Sequence, residues 1–134
     1  MNKFFKYVVF SCLIAAMSLH SCGGGGGGGS AADSPSDVVE KSFKALIKND
    51  ITECLKYFDI PAEASAAEKK MMHDFVEEMQ KSNPIVSFEI LEERISDSGA
   101  TAVVTIKVVY KSGRESADSH RLTKTDKGWK IDFM

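Results

Sequence analysis

Asp118 and His120 are the residues of this chain whose types and spacing best suit acid–base chemistry. They stand two positions apart in a segment, 115–125, that alternates like a strand. In an extended strand their side chains leave the same face as that of Leu122. A histidine beside a carboxylate can act as a general base, because the negative charge stabilises the imidazolium it becomes. Such a role requires that face to point inward. The opposite face carries Glu115, Ala117, Ser119, Arg121 and Thr123, and the segment alone leaves the choice between faces open. A solvated or cross-strand polar pair is the simpler reading, and it leaves no catalytic residue assigned.

The other reactive side chains read as structural. Cys54 shares a helical stripe with Leu55 and Phe58, with no base near it in sequence, and reads as a buried inert thiol. His73 lies on the polar side of a helix. Asp132 stands opposite Trp129, Ile131 and Phe133 and so points outward. Tyr57 belongs to a core edge or a pocket mouth. Met71, Met72 and Met79 read as core, or as an adaptable apolar wall. If a pocket exists, Tyr57, Met72, Phe75, Met79 and His120 are the residues expected to line it. The three cysteines form neither a zinc pattern nor a disulfide framework. No metal and no cofactor are expected.

The elements that must position these residues follow from periodicity. Ser34-Pro35-Ser36-Asp37 opens a helix, with Ser as N-cap and Pro at the first position; Val39, Phe43, Leu46 and Ile47 share its apolar face. Asp50 and Glu53 open a short second helix carrying Ile51, Cys54, Leu55 and Phe58, which Pro61 ends. Ser65 to Glu68 is a capping box for a third helix running to about Ser82. Its apolar stripe is Met71, Met72, Phe75, Val76 and Met79, with Lys69, Lys70, His73, Glu77 and Gln80 on the other side. After Asn83-Pro84 the period changes from 3.6 to 2. Val86, Phe88 and Ile90 alternate first, and then Ala102, Val104, Ile106, Val108 and Tyr110. Turns at Asp97-Ser98-Gly99, Ser112-Gly113 and Asp126-Lys127-Gly128 separate four strands. Short connections between sequential strands imply an antiparallel meander. The expected class is α+β: two to three N-terminal helices packed on a curved four-stranded antiparallel sheet.

The chain has 134 residues and a net charge of −2, room for one small domain and no basic stripe, so no nucleic-acid partner is expected. Seven of its ten glycines form one run, Gly23 to Gly29. Before them, Lys3 and Lys6 precede an apolar run from Tyr7 to Met17, too short to span a bilayer but suited to an export signal. Leu19-His20-Ser21-Cys22 resembles a bacterial lipoprotein signal, with His20 a departure from the usual small or β-branched residue. The resemblance implies a signal over 1–21, cleavage between Ser21 and Cys22, and lipid on the Cys22 sulfur. Residues 22–33 would then be a lipidated Cys and a flexible tether, with a reach on the order of 20 Å, followed by a folded domain over 34–134. Removing the signal leaves fifteen basic groups against nineteen acidic, net −4. The expected location is the bacterial cell envelope, membrane-anchored. Glycines, not acids, follow Cys22, which favours the periplasmic side.

The opening helix, the Leu46-Ile47-Lys48-Asn49-Asp50-Ile51 junction and the closing Gly128-Trp129-Lys130-Ile131-Asp132-Phe133 resemble the nuclear transport factor 2-like cone. Within it, the chain is similar to small bacterial lipoproteins bearing a lumazine-binding-like domain of unknown function. The resemblance implies a cavity between sheet and helices. Many cones have a strand or hairpin between the second and third helices; only Phe58 to Ile60 could serve here, which implies a more open pocket. Related cones often dimerise through the outer sheet face, where Val103 and Val109 lie alongside Thr101, Thr105 and Lys107. The functional expectation is a lipid-anchored envelope protein that binds a partner protein or small apolar ligand without catalysis. The alternative is an isomerase or dehydratase using Asp118 and His120.

Overall fold

The computed structural model describes residues 32–133. The export signal, the Ser21–Cys22 junction and the glycine run lie outside the described residues. Helix α1, Pro35–Ile47, begins at the expected cap. The Ser34 Oγ accepts from the Asp37 N–H at 3.1 Å, and the Asp37 carboxylate accepts from the Ser34 N–H at 2.9 Å. The Ser34 N–H and the Ser34 hydroxyl, both donating to the carboxylate, hold the Asp37 carboxyl below its usual range. Asp33, assigned above to the tether, pairs with Lys41 at 2.7 Å on the solvent side of α1.

Asn49 takes the left-handed backbone (φ 60°), a conformation asparagine tolerates better than most residues, and turns the chain into α2, Ile51–Leu55. This second helix is shorter than its apolar stripe suggested. Phe58 leaves it to form β1, Phe58–Asp59, before the Ser65 capping box opens α3, Ala66–Ser82.

Four longer strands follow: β2 (Ile85–Ile95), β3 (Thr101–Tyr110), β4 (Glu115–Thr125) and β5 (Gly128–Asp132). The sheet order is β1-β5-β4-β3-β2. Strands β2 to β5 form the expected antiparallel meander, but β1 adds a fifth strand, parallel to β5, with Phe58 beside Ile131. The sheet is therefore mixed and five-stranded, not four-stranded and wholly antiparallel. Two residues are too few to show a period, and β1 exists because the Ile131 N–H finds the Tyr57 carbonyl at 2.8 Å.

The core sits between α1 and the inner face of β3. Ala102, Val104, Ile106 and Val108 are at most 2% exposed, and Val38, Val39 and Phe43 of α1 cover them. Cross-strand register puts Leu122, His120, Asp118 and Ser116 beside these four in turn, on the same face.

Helix α3 departs from expectation. Met71, Phe75 and Met79, expected to be core, are 65%, 57% and 54% exposed. Gln80, expected on the polar side, is instead the buried residue of the helix. The reason is a clasp. The Gln80 amide donates to the carbonyls of Leu46 and Ile85, each at 3.3 Å, and its oxygen accepts from the Ile85 N–H at 3.0 Å. One side chain thus ties the end of α3 to the end of α1 and the start of β2. Gln80→Ala leaves these backbone groups without their partner, and the expected cost is about 1–3 kcal/mol. Hydrogen exchange should show α3 amides losing protection before those of β3; uniform loss across both would rule out a local clasp.

Candidate functional site

Because α1 already covers the sheet and α3 is held by its last turns, a gap remains between α3 and the inner face. It is a cavity of about 250 Å3. Ser42, Phe43 and Leu46 of α1, Cys54 of α2, and Phe75, Val76 and Met79 of α3 line it from the helical side. Val108, Tyr110, Asp118 and His120 line it from the sheet. Phe58 and Phe133, packed edge to face with centroids 5.7 Å apart, close one end. An adjoining cleft of about 340 Å3 runs past Glu78, Gln80, Ser82 and Asn83, sharing the Phe75–Met79 wall and Tyr110.

The polar contents of this apolar space are few. His120 stands edge-on to Phe43, centroids 5.3 Å apart. Its Nε2 is buried with no hydrogen-bond partner. Burial pushes the imidazole below its usual pKa, against a smaller upward pull from the Asp118 carboxylate. The neutral ring is favoured, and among the described residues nothing pairs with its Nε2, which is itself closed off from water-sized space. Asp118 accepts from the Ser116 hydroxyl at 3.1 Å. No hydrogen bond joins Asp118 to His120, so they share the cavity without forming a preassembled acid–base pair.

The strand face that sequence left undecided is thereby known: Asp118 and His120 point inward, with Leu122. Of the five residues expected to line a pocket, Phe75, Met79 and His120 do so. Tyr57 and Met72 are not in the lining. The Tyr57 hydroxyl is drawn to Glu53 at 3.1 Å, toward a surface depression beside Lys41 and Lys44. The Asp132 side chain is on the outer face, where it accepts from Thr123 at 2.9 Å and lies 3.5 Å from Arg121. Cys54 is buried, its sulfur 3.3 Å from the Ser42 hydroxyl, and burial raises its pKa, so it is a poor nucleophile. His73 lies 3.8 Å from Asp74, half exposed, and with Glu77 these form a surface cluster away from the cavity. On the outer sheet face Val103 is 40% exposed amid paired polar groups, among them Lys107 with Glu115 at 2.9 Å. Phe43, Leu46 and Tyr110 are lining residues that periodicity read only as core or strand, and Ser42 is one it did not single out.

Helices over a curved sheet with a cavity between them define a nuclear transport factor 2-like fold. Solved structures agree. A candidate NTF2-like transpeptidase from Campylobacter jejuni superposes with a TM-score of 0.59 at 18% identity, over 76% of this chain and 100% of its own. A SEC-C motif protein from Rhodopseudomonas palustris gives 0.56 at 14% identity, over 75% and 76%. A DUF4783 family protein from Bacteroides fragilis gives 0.53 at 15%, over 75% and 93%. No curated protein matches the chain significantly. The chain belongs to the family described as Domain of unknown function (DUF4878), which matches residues 27–132.

The buried imidazole ties stability to pH. Its pKa is lower folded than unfolded, so the unfolded chain binds more protons just below about pH 6.5, and stability falls as pH drops through that range. Urea midpoints should decline between pH 7.5 and 5.5, with a smaller decline in His120→Gln. Equal declines would show that His120 is not the group responsible.

Proposed function

We propose that this protein is a lipid-anchored envelope protein whose cone cavity binds a small, largely apolar ligand without catalysis. The observation that carries the binding reading is the cavity itself: ring- and methyl-lined, with Asp118 and His120 as polar lining residues from the sheet. Ligand sites of this kind are mostly apolar, with a few polar groups that set orientation. Each methylene transferred into such a space contributes about 0.8 kcal/mol. The wall made by Phe75 and Met79 is more than half exposed, which gives a ligand a way in beside α3. The Leu19–Cys22 pattern and the glycines after it support the anchor, on the periplasmic side. The closing Gly128–Phe133 segment supports a place among lumazine-binding-like lipoproteins, and the outer sheet face is the surface on which a homodimer would form.

One observation favours a second reading. Asp118 and His120 face the same cavity, as an isomerase or dehydratase of this fold would require. Turnover lost in both Asp118→Ala and His120→Ala would establish it.

Calorimetry with 1-octanol tests the binding reading. The expected result is saturable binding that disappears in Leu46→Trp, a substitution that fills the cavity from α1, while that variant still unfolds cooperatively. Equal binding by Leu46→Trp would move the ligand elsewhere. For the anchor, mass spectrometry of the mature N-terminus should find Cys22 carrying acyl mass; an unmodified Cys22 would exclude it.

A further inference from the structure

The charges of the cavity are one-sided. Asp118 and Asp132 are the carboxylic residues of its lining, the Asp132 side chain being engaged by Thr123 and Arg121 on the outer face, and Glu78 lines the adjoining cleft. Neither lining contains a lysine or an arginine. The nearby Arg114 guanidinium lies over the Tyr110 ring, 6.0 Å from its centroid, and is not part of either lining. Among the described residues Asp118 receives one hydrogen bond, from the Ser116 hydroxyl, and no cation pairs with it. Two residues along the same strand face, His120 offers a neutral ring whose Nε2 is unpartnered. Around Asp118 and His120 stand aromatic rings: Phe43, Phe58, Phe75 and Tyr110.

Each of these features discriminates between ligand heads. An anionic head, such as a fatty-acid carboxylate, would meet the Asp118 charge at short range in an apolar surround, where repulsion is poorly screened. No donor of opposite charge would offset it. An ammonium head meets the reverse. It can donate to the Asp118 carboxylate, and the faces of the surrounding rings attract cations. An ammonium has three donors and no acceptor, which suits the acceptor-only Asp118 carboxylate.

We propose that the cavity takes a small hydrophobic amine, its ammonium group on Asp118 and its hydrocarbon part among the aromatic rings. This rests on the cavity-binding reading above and adds the chemical class of the ligand.

The experiment compares three probes of equal chain length, octylamine, 1-octanol and octanoate, by calorimetry at pH 7 on the full chain and on Asp118→Asn, which keeps the shape and removes the charge. Octylamine should bind at least tenfold more tightly than 1-octanol, and octanoate more weakly than either. Asp118→Asn should lower octylamine affinity at least tenfold and leave 1-octanol unchanged. If 1-octanol binds but octylamine binds no better, or if Asp118→Asn does not weaken the amine, the amine assignment falls while the cavity reading stands. Octanoate binding as tightly as octylamine also overturns it. If none of the three binds, the cavity reading falls and the amine assignment with it.

Discussion

One helix, α1, covers the apolar row of β3 on the inner face of the sheet. Val104, Ile106 and Val108 are each fully buried against it, and each such side chain is worth about 1.5–3 kcal/mol. That row outweighs any single hydrogen bond in the domain, which nets about 1 kcal/mol. Everything else is arranged around this contact. The meander supplies the row, the Ser34 capping box starts the covering helix in the right place, and the Asn49 turn sends α2 away along the edge.

With that face occupied, α3 cannot also bury its apolar stripe. It is held by its last turns, through Gln80, and leans over the part of the sheet that α1 leaves open. The cavity is the space this leaves. Its walls are apolar because they are the edges of the core, and its exposed Met and Phe side chains belong to a helix whose buried residue is Gln80. The same geometry bears on His120: packed edge to face on Phe43 and largely withdrawn from water, its ring favours the neutral form.

Much of the fold was legible in one dimension. The capping boxes at Ser34 and Ser65 are local, since each is made by residues three apart. The alternation of Ala102 to Val108 is equally local, because a one-residue slip would turn the whole row to solvent. What failed were features whose signal is short or non-local. Strand β1 has two residues and exists through a partner more than seventy positions away. Gln80 looks like any polar residue on a helix until Leu46 and Ile85 come beside it. The stripe of α3 looks like core because periodicity reports amphipathicity, not whether a surface is left to receive it.

The sequence by itself determined the α+β class, the helix starts, the meander and the pairing of Asp118 with His120 on one strand face. It did so because caps, turns and period-2 alternation are set by neighbours within a few residues. Only the tertiary structure decided that this face turns inward, that α3 stands off the sheet, and that a cavity forms there with an unpartnered imidazole nitrogen. Those outcomes depend on competition for one apolar surface, and that competition exists only once the chain has folded.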